Sequence, residues 1–287
     1  MKIHLVDGTY ELFRAYYAQP KRDAPNGQEV GAILGLMRTL IVLLRQPDVS
    51  HVACAFDSNI ESFRNTLFPG YKTGDGTPED LRSQFQLAEI ITSALGIVVW
   101  PMTEFEADDA LASAVVKWSN NSQIEQIVIC SPDKDLAQMV KGQYVVCWDR
   151  RRELILDEVG VEKKFGVLPV SIPDYLALVG DAADGIPGIP KWGAKSSGMI
   201  LNRYQHLENI PSDASLWDVN VRSASVLSSN LLEFREQAFL YRELATLRLD
   251  VPIEHSLEQM TWRGFLIDEL TSACDEFGFR IPDALAK

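Results

Sequence analysis

Histidine is scarce in this sequence, with four in 287 residues. No two stand at ligand spacing, which excludes a histidine-based zinc site. Cysteine is equally sparse. Cys54, Cys130, Cys147 and Cys274 show no short paired spacing, and three of them lie in apolar, strand-like runs. They read as buried free thiols of a reducing compartment, not as disulfides. No apolar run approaches the roughly 20 residues of a membrane span. The opening Met1-Lys-Ile-His-Leu-Val-Asp7 reads as a buried strand, without the longer apolar core and small-residue cleavage site of a signal peptide. The expected location is the cytoplasm. Gly-x-Ser-x-Gly, a Cys/His pairing and a phosphate-cradling glycine loop ending in Lys-Ser/Thr are all missing, as is a dinucleotide fingerprint after the first strand. Positive charge is also short: 27 Lys and Arg against 40 Asp and Glu leave a net charge of −13. That lowers the expectation of a nucleic-acid partner. It does not exclude one, because setting aside the acids of one metal site brings the remainder close to balance.

Hydrophobic content of 46% provides for a substantial core. Short Val- and Ile-rich runs at Ile3–Val6, His51–Phe56, Ile97–Trp100 and Gln126–Cys130 predict buried strands. Helical periodicity at Val30–Leu44, Asp80–Leu95 and Ala107–Trp118 alternates with them, which implies a parallel sheet with helices on both faces. Tyr144–Trp148 and Glu153–Leu156, joined at Arg150-Arg151-Arg152, predict a hairpin whose arginines form a solvated tip or an extra phosphate patch. From about residue 157 the strand signal stops. Helices are expected over Asp157–Phe165, Pro173–Val179, Ala194–Tyr204, Leu231–Leu247 and Phe265–Phe277. The expected organisation is an α/β body over residues 1–170 and a helical subdomain over 171–287. A turn-rich candidate arch falls at about 61–80. Trp118 and Trp148 are expected in the core, and Lys163-Lys164 is given no role.

Ligands of an open parallel sheet bind beyond the carboxyl ends of its strands. Here those ends deliver acids in succession: Asp7, Asp57, then Glu106-Ala-Asp108-Asp109, then Asp133-Lys-Asp135, and further on Asp181 and Asp184. Each has a bland reading alone. Asp7 and Asp57 suit strand-to-turn positions, Thr103 and Glu106 suit a capping box, and Ser131-Pro132 suits a helix start. Taken jointly, so many like charges on one rim would be destabilising without cations. Dense hard oxygen donors fit Mg²⁺ or Mn²⁺, and a two-cation site performs phosphodiester hydrolysis.

Six stretches, LVDGTYELFRAYYA (5–18), AFDSNIESFRNTLFPGYK (55–72), TPED (77–80), EFEADDALAS (104–113), SPDKDLAQMV (131–140) and ALVGDAADGIPGIPKWGAKSS (177–197), resemble in order those of the 5′ nuclease (flap endonuclease) superfamily. The resemblance is greatest to the 5′–3′ exonuclease domain attached to bacterial DNA polymerase I and its stand-alone relatives. LATLRLDVPIE (244–254) extends it, and no polymerase follows, so a free-standing form is expected. The resemblance implies a PIN/resolvase-like core and structure-specific cleavage of DNA at 5′ flaps, nicks or free ends, in replication or repair, near the nucleoid. Asp7, Asp57, Glu106, Asp108 and Asp133 match acids of the first cation cluster, and Asp109, Asp135, Asp181 and Asp184 match those of the second. Lys72 matches an arch lysine that approaches the scissile phosphate, while Arg14 and Arg64 match basic positions near the mouth of the site. Tyr71 is placed either to stack on an unpaired base or to pack at the arch base. Residues 177–204 match a helix–two-turns–helix that grips duplex backbone. Gly188 and Gly193 would permit its turns, the N–H groups before Ala194 face outward, and Lys195 adds a cation. In the family this element often binds K⁺.

Two departures stand out. The arch lysine is followed by Lys72-Thr-Gly-Asp75, where the family commonly has an arginine, and Lys191-Trp192-Gly193 replaces the usual Gly-Ile-Gly. Trp192 is placed either to pack into the subdomain, the favoured reading, or to rest on the sugar–phosphate edge. A monomer is expected, and Ala284–Lys287 carry no clamp-binding pattern. Two other readings compete. A PIN-type ribonuclease is opposed by the two-turn element, and a non-catalytic branched-DNA binder is opposed by the full set of acids.

Overall fold

A computed structural model describes residues 1–279, so the tail at Ala284–Lys287 lies outside the described residues. The chain begins with β1 (Lys2–Asp7), α1 (Gly8–Ala18), α2 (Gly31–Leu44), β2 (His51–Asp57), α3 (Arg64–Leu67) and α4 (Glu79–Arg82). It continues with α5 (Phe85–Ala94), β3 (Val98–Met102), α6 (Ala107–Trp118), β4 (Gln126–Cys130), β5 (Val145–Asp149) and β6 (Leu154–Leu156). The remainder is helical: α7 (Glu158–Phe165), α8 (Ile172–Val179), α9 (Ala194–Tyr204), α10 (Ala224–Glu233), α11 (Arg235–Ala245) and α12 (Ile267–Phe277). No helix among the described residues is long and apolar enough to cross a membrane.

Two compact units are present. The first comprises residues 1–60, 74–130 and, of the described residues, 249–279. Its strands are parallel in the order β3-β2-β1-β4, with Asp7 opposite Ala55, Val6 opposite Cys130 and Asp57 opposite Met102. Strands covered on both faces need continuous apolar runs. Ile3, Leu5 and Val6, Val52 through Phe56, and Ile127 through Cys130 are all buried. α6 packs on β1, β2 and β3, and Trp118 stacks on Trp100 at 6.1 Å between ring centres. Lys117 donates to the carbonyls of Ile253 at 2.5 Å and His255 at 2.9 Å, which ties the C-terminal segment to this helix.

The second unit comprises residues 61–73 and 131–248. The expected hairpin is present, β5 and β6 pairing antiparallel with Trp148 opposite Ile155. α7 starts at Asp157, whose carboxylate accepts from Gly160 N–H at 2.8 Å, and it ends at left-handed Gly166. Helix α8 packs on α9 and α11. Its buried Asp174 accepts from Arg242 at 3.1 Å and from Leu207 N–H at 3.2 Å.

Several expected elements differ in extent. The single helix over 80–95 is broken at Gln84, which is fully buried. Its amide reaches the Asp80 carbonyl at 2.8 Å and takes the Ile33 N–H at 3.2 Å. A side chain serving two backbone groups outweighs continuity of the helix. The expected helix at Leu231–Leu247 is two, α10 and α11, which meet at Phe234.

Candidate active site

In the first unit, Asp7 and Asp57 stand at the carboxyl ends of the adjacent strands β1 and β2, 6% and 7% exposed. Neither is a free-swinging acid. Asp7 caps α1, accepting from Tyr10 N–H at 2.8 Å. Asp57 accepts from Ala107 N–H, the first amide of α6, at 2.7 Å, while its own N–H donates to Thr9 Oγ at 2.7 Å. Both are thereby oriented at helix N-termini by backbone amides. The cap of α6 is Glu106, and Thr103 lies outside the helix. This corrects the expected register of the capping box, in which Thr103 was the cap, by one turn. β3 runs on to Met102, so the first helical residue is Ala107, and Asp109 answers Glu106 by accepting its N–H at 3.1 Å. Asp109 is fully buried in that role, whereas Asp108, on the next position of the same turn, is half-buried.

In the second unit, Asp135, Asp181 and Asp184 bring one carboxylate oxygen each within 4.8 Å of one another. Asp181 and Ile186 exchange both backbone hydrogen bonds at 2.8 Å, closing the loop that carries Asp184. Asp181 Oδ1 accepts from Ala183 N–H at 3.0 Å, and Asp181 Oδ2 is 2.5 Å from the ammonium of Lys134. Asp135 begins a short 3-10 turn, Asp135–Met139. Its N–H donates to Asp133 at 2.9 Å, and its buried Oδ1 has no hydrogen-bond partner. Burial first, then the charges of Asp133, Asp184 and Asp181, push the Asp135 carboxyl well above its ordinary range, against the pull of Lys134. Three converging carboxylates, one of them with a buried oxygen that has no hydrogen-bond partner, are a donor set that fits a divalent cation. Asp133 itself is exposed.

Lys72 is held against this cluster by its backbone. Its N–H donates to the Asp184 carbonyl at 2.9 Å, and its φ is +26°. The approach requires glycine at 185, where a Cβ would stand 2.2 Å from the Gly70 carbonyl oxygen. The half-buried Arg14 lies in the first unit and pairs with buried Glu11, with a second bond to Thr39 Oγ at 2.9 Å. Arg64 is placed differently from the expectation of a basic group at the site's mouth. It is 1% exposed and donates to the carbonyls of Leu244 at 2.8 Å and Thr246 at 3.0 Å. Tyr71 is buried with its ring 5.9 Å from the Arg64 guanidinium, so of its two readings the packed one holds.

The two-turn element follows α8. Gly188 has φ +73°, and a Cβ there would fall 2.6 Å from the Gly180 nitrogen, so the turn needs a glycine. Gly193 corrects the expectation of a glycine-only turn. Its φ of −123° is open to any residue, and it caps α9 with empty space beside its Cα. Gly193, Ala194 and Lys195 are exposed at the start of this 11-residue helix. Trp192 is buried, donating from its indole to the Leu227 carbonyl at 3.0 Å, as the packing expectation required.

Residues 2–166 match the family described as 5′-3′ exonuclease, N-terminal resolvase-like domain, and residues 167–267 match the 5′-3′ exonuclease C-terminal SAM fold. A 5′-3′ exonuclease of Buchnera aphidicola from Acyrthosiphon pisum is 31% identical over 264 residues, 91% of each chain. DNA polymerase I of Pseudomonas aeruginosa is 34% identical over 265 residues, 89% of this chain and 28% of the polymerase. The chain belongs to the 5′–3′ exonuclease family. The fold of this exonuclease family member is that of the bacteriophage T5 flap endonuclease, solved in complex with DNA and metal ions. The TM-score is 0.67 at 16% identity, over 97% of this chain and all of that one.

Three residues of this exonuclease family member were given no role from sequence. Lys134 lies inside the SPDKD motif, yet a lysine between two aspartates reads as solvated until its partner Asp181, 47 positions on, is known. Glu11 and Asp174 are buried acids whose charge partners are distant or on another turn. Only an unusual acid on an apolar helical face could have signalled them.

Proposed function

We propose that this 5′–3′ exonuclease also acts as a 5′-flap endonuclease on DNA, with Mg²⁺ or Mn²⁺ held by two sets of acids. The observation that carries the reading is the group of buried Asp135 and Asp181 with half-buried Asp184, with an unpartnered buried oxygen on Asp135 and with Lys72 fastened to it through Asp184. The acids of these two sets are Asp7, Asp57, Glu106, Asp108, Asp109, Asp133, Asp135, Asp181 and Asp184. Divalent cations held by these acids would lower the pKa of an attacking water and offset charge at the scissile phosphate. The chain's own groups orient and hold. Asp7 and Asp57 are aimed by the helix-end amides, and the ammonium of Lys72 offsets charge on the phosphate's non-bridging oxygens. The helical part from about residue 171 grips the duplex, with the N–H of exposed Ala194 at the start of α9 and the cation of Lys195 taking a backbone phosphate. Carbonyls of the turns around Gly188 would hold K⁺. The likeness to a flap endonuclease solved with DNA and metal ions supports this reading. We propose a monomer working in the cytoplasm, where the four buried thiols stay reduced.

Cleavage of 5′-labelled flap, nicked and blunt duplexes tests it. Release of 5′ fragments from the flap with Mg²⁺ or Mn²⁺, and none in chelator, is the expected outcome. No cleavage of any of the three substrates with either metal overturns the reading. The exposed Asp75 repels the 5′ strand in this account. Asp75→Arg should raise flap turnover several-fold at low salt, and an unchanged rate would remove Asp75 from the account.

A further inference from the structure

Asp181 already has a cation. Its Oδ2 sits 2.5 Å from Lys134 Nζ, and its Oδ1 takes the Ala183 N–H at 3.0 Å, so both oxygens are engaged. Asp181 is 2% exposed, while the lysine side chain is about one-third exposed at 35%. The pair is therefore reached by solvent only through the lysine. Lys134 stands in sequence between Asp133 and Asp135, and its ammonium feels the charge of both as well as that of Asp181. One ammonium thus serves two of the three acids that converge within 4.8 Å, Asp181 and Asp135.

We propose that Lys134 is a tethered counter-ion of this cluster. It neutralises Asp181 in the metal-free protein and must leave that oxygen when a divalent cation binds there. The inference rests on the reading of Asp135, Asp181 and Asp184 as a cation site. Physically, three acids facing one another repel, and a resident ammonium relieves that repulsion during folding and between catalytic cycles. A divalent ion brings twice the charge and requires oxygen ligands at about 2.0–2.1 Å for Mg²⁺, which an ammonium on the same oxygen obstructs. The lysine stem, being flexible and partly exposed, lets the head swing outward. The site is thereby kept weak for free cations, and the freed ammonium becomes available to a phosphate.

Calorimetric titration of the full chain with MnCl₂, without DNA, tests this in wild type, Lys134→Met and Lys134→Arg. The weaker Mn²⁺ site should tighten about ten-fold in Lys134→Met, equivalent to about 1.4 kcal/mol, and stay near wild type in Lys134→Arg. Melting in chelator should show Lys134→Met less stable than wild type, with Mn²⁺ restoring the difference. Should Lys134→Met fail to fold, Lys134→Gln, which keeps a polar head without the charge, replaces it with the same expected tightening. Unchanged or weaker Mn²⁺ binding in the folded neutral variant overturns the proposal while leaving the cation site intact. If wild type binds no Mn²⁺ that Asp181→Asn removes, the site itself fails and this inference fails with it.

Discussion

Asp135→Asn should make the metal-free protein more stable while reducing cleavage by on the order of 100-fold or more. The two effects have one cause. Asp135 is a carboxyl pushed up by burial and by three neighbouring acids, with one oxygen buried and without a partner. An amide in its place carries no charge to desolvate and relieves the repulsion, so the melting temperature in chelator should rise. The same change removes a hard ligand, so the rise in melting temperature that Mg²⁺ or Mn²⁺ gives the wild type, a mass-action effect, should shrink or vanish. Thermal melts with and without metal, paired with flap cleavage, check both halves. A variant that melts lower in chelator and still gains the wild-type shift would contradict this account of Asp135.

Arg64→Ala should have the opposite profile, with a large loss of stability and a small direct effect on chemistry. The side chain is among the largest fully buried ones. It satisfies the carbonyls of Leu244 and Thr246 and lies 4.6 Å from the centre of the Phe63 ring. Truncation leaves two buried acceptors short of a donor and opens a cavity, together costing roughly 3–5 kcal/mol. For a chain of this size that lowers the melting temperature by roughly 6–15 °C. At a temperature where both proteins are folded, flap cleavage should stay within a few-fold of wild type. A variant with wild-type stability and a hundred-fold slower rate would return Arg64 to the substrate side of the site.

The contrast between these two residues marks what the sequence could carry. Asp135 was legible because it belongs to a pattern, acids following successive strands, and patterns survive without coordinates. The strand Gln126–Cys130 and the helices Ala107–Trp118 and Ala194–Tyr204 were legible for the same reason: local periodicity and caps specify them, and the structure has them at those bounds. Arg64 was not legible, because a surface arginine and a buried one read alike. What separates them here is two carbonyls some 180 positions away. The break at Gln84 and the pairing of Lys134 with Asp181 are likewise tertiary facts. Thr103 against Glu106 as the cap of α6 shows the finer limit: either residue suits a helix start, and only the extent of β3 decides between them. Gly188 and Gly193 looked equivalent in sequence, yet one is demanded by a left-handed turn and a close backbone approach, and the other is not.

Hydrolysis by divalent cations held by these acids is the central claim. Its most direct test is single-turnover cleavage of a 5′-labelled flap duplex across a Mn²⁺ titration, in wild type and Asp133→Asn. Asp133 is exposed, so the substitution should leave folding intact. The predicted result is a short 5′ fragment from the wild type, its rate rising with Mn²⁺ to saturation, and little or none from the variant at any concentration, although both bind the flap equally. Flap binding by the wild type with no cleavage at any Mn²⁺ or Mg²⁺ concentration, or equal cleavage by the two proteins, would contradict it.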